Sequence, residues 1–226
     1  QTDCNNFHDS IITPNLSTPL CGDYTIGGQN PDFSSFLQAV TILNNAGISC
    51  PVRFLVRDGV YSEQIEIEKI DGTDSINTVT FVSESEDSSL VSLQYFQSNS
   101  ILDFTVKLSN SEYVCFQHIG IKRDTGNCPF FIEQSNNISI SNCVLSGNNS
   151  VKIESGSEHI VISNNYFEEN YSDLICIEGG IGEMIQHIEI HNNVLPGSSG
   201  KSIELSYVNN VEISNNHINN FAQAID

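Results

Sequence analysis

Ile138-Ser-Ile-Ser-Asn-Cys-Val-Leu145, Ile160-Val-Ile-Ser-Asn-Asn-Tyr-Phe167, Ile188-Glu-Ile-His-Asn-Asn-Val-Leu195 and Val211-Glu-Ile-Ser-Asn-Asn-His-Ile218 are versions of one phrase. A weaker copy, Val114-Cys-Phe-Gln-His-Ile-Gly-Ile121, precedes them, and the starts fall 24, 22, 28 and 23 residues apart. Each copy alternates apolar and polar residues, the two-residue period of a strand, then breaks at a polar pair before its next apolar residues. A second strand signal stands just upstream of each copy: Val106-Lys-Leu108, Phe130-Phe-Ile132, Val151-Lys-Ile153, Ile175-Cys-Ile177 and Ile203-Glu-Leu205. Short strands recurring at this interval without helices mean one coil per repeat. The sequence therefore predicts an all-β chain, a right-handed parallel β-helix whose inward columns make one continuous core. Those columns are expected to be Val114, Phe116, Ile138, Ile140, Ile160, Ile162, Ile188, Ile190, Val211 and Ile213. The 28-residue interval holds the inserted run Gly179-Gly-Ile-Gly-Glu-Met-Ile185.

The polar pairs form two columns of their own. One reads His118, Asn142, Asn164, Asn192, Asn215, and the next Ile119, Cys143, Asn165, Asn193, Asn216. Asn tolerates the left-handed backbone of a tight turn, and stacked Asn amides can bond one another as a ladder. These are read as structural residues; spacing alone does not say which column points inward.

Upstream, Asp32-Phe-Ser-Ser-Phe-Leu-Gln-Ala-Val-Thr-Ile-Leu-Asn-Asn-Ala-Gly47 carries Phe33, Phe36, Leu37, Val40 and Leu43 at helical spacing. Asp32 or Ser34 is the expected N-cap and Gly47 the C-cap. An open β-helix end exposes apolar side chains and unpaired edges, so this helix is expected to lie across it. The organisation is thus an N-terminal segment and entry strand over 1–30, a capping helix over 31–47 and coils over 48–226. Ile225 falls where Ile203 stands one coil earlier, so Ala224-Ile-Asp226 is expected to open another coil. The chain reads as the N-terminal part of a longer protein, and its uncapped last coil as a surface for end-to-end self-association.

Composition removes several functions. Eight Lys and Arg against 28 Asp and Glu leave a net charge of −20, which excludes nucleic acid and anionic membrane surfaces as partners. No apolar run approaches the ~18 residues of a membrane span. The chain starts at Gln1, as a mature chain whose export signal has been removed would. Seven cysteines form no C-x-x-C pair; Cys4 and Cys21 bracket a loop-like segment and are candidates for a disulfide.

The N-terminal half carries a resemblance. Asp23-Tyr-Thr-Ile-Gly-Gly-Gln-Asn-Pro-Asp-Phe33, the helix, Ala46-Gly-Ile-Ser-Cys-Pro-Val-Arg-Phe54 and Asp58-Gly-Val-Tyr-Ser-Glu-Gln-Ile65 resemble the start of large secreted β-helix proteins of gliding, polysaccharide-degrading bacteria. These belong to the pectin-lyase-like superfamily, which implies export to the cell surface or beyond and contact with polysaccharide. Gly59-Val-Tyr-Ser-Glu63 also matches the G-x-Y-x-E element of pectin esterases, which there helps form the first coil. The catalytic motifs do not transfer. Without Trp there is no pectate-lyase signature, the Gln-Asp-Thr and Asp-Phe-Ile-Phe blocks of pectin esterases and the Asn-Thr-Asp, Gly-His-Gly and Arg-Ile-Lys set of polygalacturonases are missing, and no G-x-S-x-G elbow occurs. Lys122-Arg123, the only adjacent basic pair, is read as loop surface.

Two outward clusters remain. His159 and His187 share a repeat position, where two imidazoles on neighbouring coils have the reach to hold a metal; exposed histidines without a ligand are the expectation. Glu133, Glu154 and Glu178 each follow the last inward residue of the same strand and should form an outward column. Neighbouring carboxylates ~4.8 Å apart repel by ~3 kcal/mol at an effective dielectric of 20. They must splay into water, take up a proton or hold a hard cation such as Ca²⁺, and splaying is expected. The function that follows is a rigid scaffold or glycan-contacting module of a secreted or cell-surface protein. The alternative is a cation-dependent polysaccharide lyase or glycoside hydrolase.

Overall fold

The computed structural model describes residues 18–96, 104–123, 128–168, 172–197, 199–219 and 223–225. They wind as a parallel β-helix in which every named strand pairs with its counterpart one coil away. The first sheet runs Leu20–Ile26, Ile48–Val56, Val79–Ser83, Val114–Gln117, Asn136–Ser141, Glu158–Ser163, Ile185–His191, Val208–Ser214. The second runs Gly59–Ser62, Val91–Tyr95, Gly120–Arg123, Val144–Ser146, Tyr166–Phe167, Val194–Leu195, His217–Ile218. The third runs Ile65–Ile67, Phe104–Ser109, Cys128–Glu133, Val151–Glu154, Ile175–Glu178, Lys201–Ser206, Gln223–Ile225. Among the described residues no helix is long and apolar enough to cross a membrane.

Alternation puts every second side chain inside. Val114, Phe116, Ile138, Ile140, Ile160, Ile162, Ile188 and Ile190 are buried in two in-register columns. Val211 and Ile213 continue those columns but are only partly buried. Near the N-terminal side the filling turns aromatic: Phe54, Phe81 and Phe116 stack at 4.6 and 4.9 Å between ring centres. Ile225 pairs with Ile203 in the third sheet, as the repeat alignment expects.

The corners explain the Asn columns. His118, Asn142, Asn164, Asn192 and Asn215 all adopt left-handed φ between 54° and 58°. A backbone in that region suits Asn better than a branched side chain. The next column points inward and builds a ladder. Asn165 Oδ1 accepts from Cys143 N–H, Asn193 Oδ1 from Asn165 N–H and Asn216 Oδ1 from Asn193 N–H, each at 2.9 Å. The amide Nδ2 atoms of Asn165, Asn193 and Asn216 donate to the carbonyls of Ile140, Ile162 and Ile190. Asn165 and Asn193 are each 1 % exposed, so their polar groups are satisfied where water does not reach.

The helix spans Phe36–Ala46 and buries Phe36, Ala39, Val40 and Leu43 against strands Leu20–Ile26 and Ile65–Ile67. Its N-cap is Ser35, not Asp32 or Ser34: Ser35 Oγ accepts from Gln38 N–H at 3.1 Å. Asp32 is engaged elsewhere, accepting from the N–H and hydroxyl of Thr25 at 2.7 and 2.8 Å. Ser34 instead donates its N–H and hydroxyl to Gln38 Oε1. Gly47 ends the helix at φ 64°, where a Cβ would collide with the Asp71 carbonyl. The G-x-Y-x-E element is structural: the Tyr61 hydroxyl donates to Arg57 O at 2.7 Å, and Glu63 accepts the Leu37 N–H at the helix start.

The disulfide expectation is corrected. Cys21 is bonded to Cys50, and Cys4 lies outside the described residues. Strands Leu20–Ile26 and Ile48–Val56 are parallel neighbours, and the register shift between Leu20 and Gly22 brings Cys21 opposite Cys50. Lys122-Arg123 is corrected too, because both lie on a strand of the second sheet. Arg123 is 5 % exposed, donates to the Phe104 carbonyl at 2.7 Å and covers the Tyr95 ring, while Lys122 pairs with Glu168.

Candidate functional site

The third sheet carries the densest chemistry on the outer surface. Its inward positions are apolar: Val106 and Leu108, Phe130 and Ile132, Val151 and Ile153, Ile175 and Ile177. The residues between them must face out, and the parallel register lines them up as rows. One row runs Glu66, Lys107, Phe131, Lys152, Cys176, Glu204. Two residues further along each strand runs Ser109, Glu133, Glu154, Glu178, Ser206. Glu133, Glu154 and Glu178 therefore form the column expected from sequence.

The repulsion is relieved by cations among the carboxylates, and the chain supplies them itself. Lysines of the adjacent row reach across. Lys152 Nζ lies 2.9 Å from Glu154 and 3.3 Å from Glu178, and Lys107 Nζ lies 2.8 Å from Glu133 and 3.1 Å from Glu66. Both ammonium groups also approach the Phe131 ring, at 5.8 and 6.0 Å from its centre. Ser109 Oγ adds a donor to Glu133 at 2.9 Å.

These contacts hold the charges in place. Burial opposes charge on Lys107, but bonds from Glu133 and Glu66 outweigh it and its pKa lies above the ordinary lysine value. Lys152 goes the same way: burial opposes, Glu154 and Glu178 prevail, and the result is well above the ordinary value. Glu133 is pulled upward by burial and further downward by Lys107 and Ser109, ending below the ordinary carboxylate range. The row is thus a set of fixed ions, with two ammonium groups serving as its cations.

Glu133, Gln134, Glu154, Ser155, Glu178 and Gly179 line a shallow depression of about 420 Å³ along this column. In the adjacent row, Cys176 and Glu204 follow Lys152. Burial, then the neighbouring carboxylates, push the Cys176 thiol up to about 12, which holds it in the neutral form and disfavours a nucleophilic role. Lys201 pairs with Glu204 at 2.8 Å and keeps its pKa low. Asp173, hydrogen-bonded to Glu204, goes the other way: burial raises it against the Lys201 N–H, and Glu204 raises it further.

Sequence reasoning identified the glutamates and missed Lys107, Phe131 and Lys152. The signal was present, since Lys107 and Lys152 are the middle residues of Val106-Lys-Leu108 and Val151-Lys-Ile153, the outward positions one step before the acidic column. His159 and His187 lie elsewhere, at the entry to the first sheet, exposed and stacked on one another.

A family described as the right handed beta helix region matches residues 108–226. No curated protein matches the chain. Among solved structures, pectin methylesterase PemA from Erwinia chrysanthemi is similar at a TM-score of 0.55 and 10% identity, over 84% of this chain and 66% of that one. Pectin methylesterase from Yersinia enterocolitica is similar at 0.53 and 14% identity, over 77% and 66%. A pectin methylesterase mutant in complex with a hexasaccharide is similar at 0.50 and 9% identity, over 84% and 81%. At these identities the likeness is one of fold.

Proposed function

The chain belongs to the right-handed β-helix region family, and from that membership we propose that it is a rigid glycan-contacting module whose ligand lies along the third sheet. The observation that carries this is the outward surface of Lys107, Phe131, Glu133, Lys152, Glu154 and Glu178, with its shallow depression. Sugar hydroxyls both donate and accept, so fixed ammonium and carboxylate groups repeating at the strand spacing suit them. Phe131 offers a ring to the apolar face of a sugar. A net charge of −20 selects against densely charged polyanions and for neutral or methyl-esterified polymers. The hexasaccharide held by one structural relative supports a polysaccharide as the class of ligand. The Cys21–Cys50 bond supports an oxidising location, hence secretion or display at the cell surface.

Affinity electrophoresis tests this directly. Gels containing highly methyl-esterified pectin, de-esterified pectin or a neutral glucan should retard the wild-type chain, most strongly with the esterified polymer. Phe131→Ala combined with Lys152→Ala should migrate as it does in a gel without polysaccharide. Equal retardation of wild type and variant, or none of the wild type by any polymer, overturns the proposal.

A second reading, a polysaccharide lyase or glycoside hydrolase, is favoured by Asp173 alone. Two neighbouring carboxyl groups, Asp173 shifted up by burial and Glu204 shifted down by Lys201, have the composition of an acid–base pair. Release of new reducing ends from the same polymers, abolished in Asp173→Asn, would establish it, and their absence would leave the module as described.

A further inference from the structure

At the entry to the first sheet the coil corner is again left-handed, at Tyr113, Asn137, His159, His187 and Asn210, with φ between 53° and 58°. The 28-residue coil does not disturb this column. Its extra residues leave the wall at Gly179 to Met184, before strand Ile185–His191 begins, and Ile160 still pairs with Ile188 and Ile162 with Ile190. His159 and His187 consequently stand side by side, ring planes 3° apart and centres 4.5 Å apart. Glu158 adds a carboxylate whose Oε2 lies 3.9 Å from His159 Nδ1. One donor atom from each of Glu158, His159 and His187 lies within 4.8 Å of the others. On the far side, Asn210 Nδ2 is 3.4 Å from His187 Nε2.

We propose that Glu158, His159 and His187 form a surface site for one divalent transition-metal ion of the Zn²⁺ class. Two imidazole nitrogens and a carboxylate oxygen are the donor set of a borderline cation, whereas Ca²⁺ and Mg²⁺ take oxygen ligands. Bonds of about 2.1 Å in tetrahedral geometry need the two nitrogens about 3.4 Å apart. The rings must turn their edges toward one another to reach that separation, His187 giving up its contact with Asn210, and both side chains are exposed. Water completes the coordination. The acidic surface concentrates cations around the site. A bound ion ties residues 159 and 187 across the 28-residue interval that holds the Gly179 to Met184 excursion.

Asparagine is the substitution that tests this cleanly. Asn137 and Asn210 occupy the same column with the same backbone, so His159→Asn and His187→Asn retain the corner. The untagged full chain, stripped with chelator, is titrated with ZnCl₂ by calorimetry at neutral pH, with CaCl₂ as comparator. One Zn²⁺ is expected to bind per chain, unaffected by Ca²⁺, with each single substitution weakening it about tenfold or more. Zinc should raise the melting temperature of the wild type and leave that of the double variant unmoved. Equal zinc affinity in the double variant and the wild type, or no zinc heat in the wild type, overturns the site. Circular dichroism confirms that the variants compared are folded.

Discussion

Replacing Asn193 with alanine should cost the fold about 3 kcal/mol, and the figure can be assembled atom by atom. Asn193 Oδ1 accepts from the N–H and Nδ2 of Asn165, at 2.9 and 3.1 Å, while its own Nδ2 donates to Ile162 O and to Asn216 Oδ1. The site is 1 % exposed, so water cannot replace the lost amide. Asn165 N–H loses its partner outright, a penalty of ~1–3 kcal/mol for a buried donor, and the remaining contacts lose ~0.5–1.5 kcal/mol each where another partner persists. Asn192 next to it is the internal comparison: it is exposed at φ 58° and takes no part in the ladder. Asn192→Ala should cost only about 1 kcal/mol, the difference between Asn and Ala in left-handed backbone, and Asn192→Gly should be close to neutral. Urea unfolding followed by far-ultraviolet circular dichroism reads all three, provided the denaturant slopes agree. If Asn193→Ala is no worse than Asn192→Ala, the ladder does not hold the coils together and the assignment of the two columns fails.

Lys152→Met leaves Glu154 and Glu178 as uncompensated neighbours. Solvent screening reduces the ideal repulsion to ~1 kcal/mol of lost stability at pH 7, and lowering the pH below the ordinary carboxylate range should recover it. The wild type and Glu154→Gln should bind Ca²⁺ no tighter than millimolar by calorimetry, because Lys152 already occupies the position between the carboxylates; tight wild-type binding lost in Glu154→Gln would contradict this. Glu133 has a depressed pKa, so its contribution is present above the ordinary glutamate value and disappears as pH falls through the folded value. Lys107 and Lys152 have raised values, so theirs is present below the ordinary lysine value and is lost as pH rises through the folded values. Melting temperature against pH should accordingly show a plateau from ~5 to ~10, falling at both ends, and a maximum confined to one side would refute the pairing. Cys21 and Cys50 are separated by 29 residues, so Cys21→Ser with Cys50→Ser should lose ~3 kcal/mol in chemical denaturation, whereas an unchanged midpoint would mean the bond constrains nothing.

The architecture was legible because it repeats. Ile138 or Ile160 alone is an apolar residue in a strand, but the same alternation recurring in successive coils admits one stacking. The left-handed corners were legible through Asn142, Asn164, Asn192 and Asn215 for the same reason, whereas the inward turn of Asn165, Asn193 and Asn216 depends on hydrogen bonds to other coils that spacing does not encode. The acidic column could be read because its members share a position with respect to Ile132, Ile153 and Ile177. Its neutralisation could not, since Lys107 meets Glu66 and Glu133 on different coils and the pairing is a property of register. The disulfide failed similarly: Cys21 sits opposite Cys50 through a register shift in two parallel strands, and a reading along the chain favours the nearer-looking loop. Ser35 was missed as the helix cap because Asp32 and Ser34 are equally good caps by type, and only the structure shows them held by Thr25 and Gln38.

The excursion from Gly179 to Met184 leaves the wall and returns without altering the pairing of Ile160 with Ile188 or of Ile175 with Ile203. Gly179 makes this exit against the Tyr207 carbonyl, an approach that a Cβ would block, and Ile181 ends up 90% exposed. The wall on either side is closed by its own hydrogen bonds, so the segment between them is under no obligation to the core. Such a corner is a port: its length and composition can drift, or be replaced by a grafted recognition loop, while the cylinder beneath remains the same object.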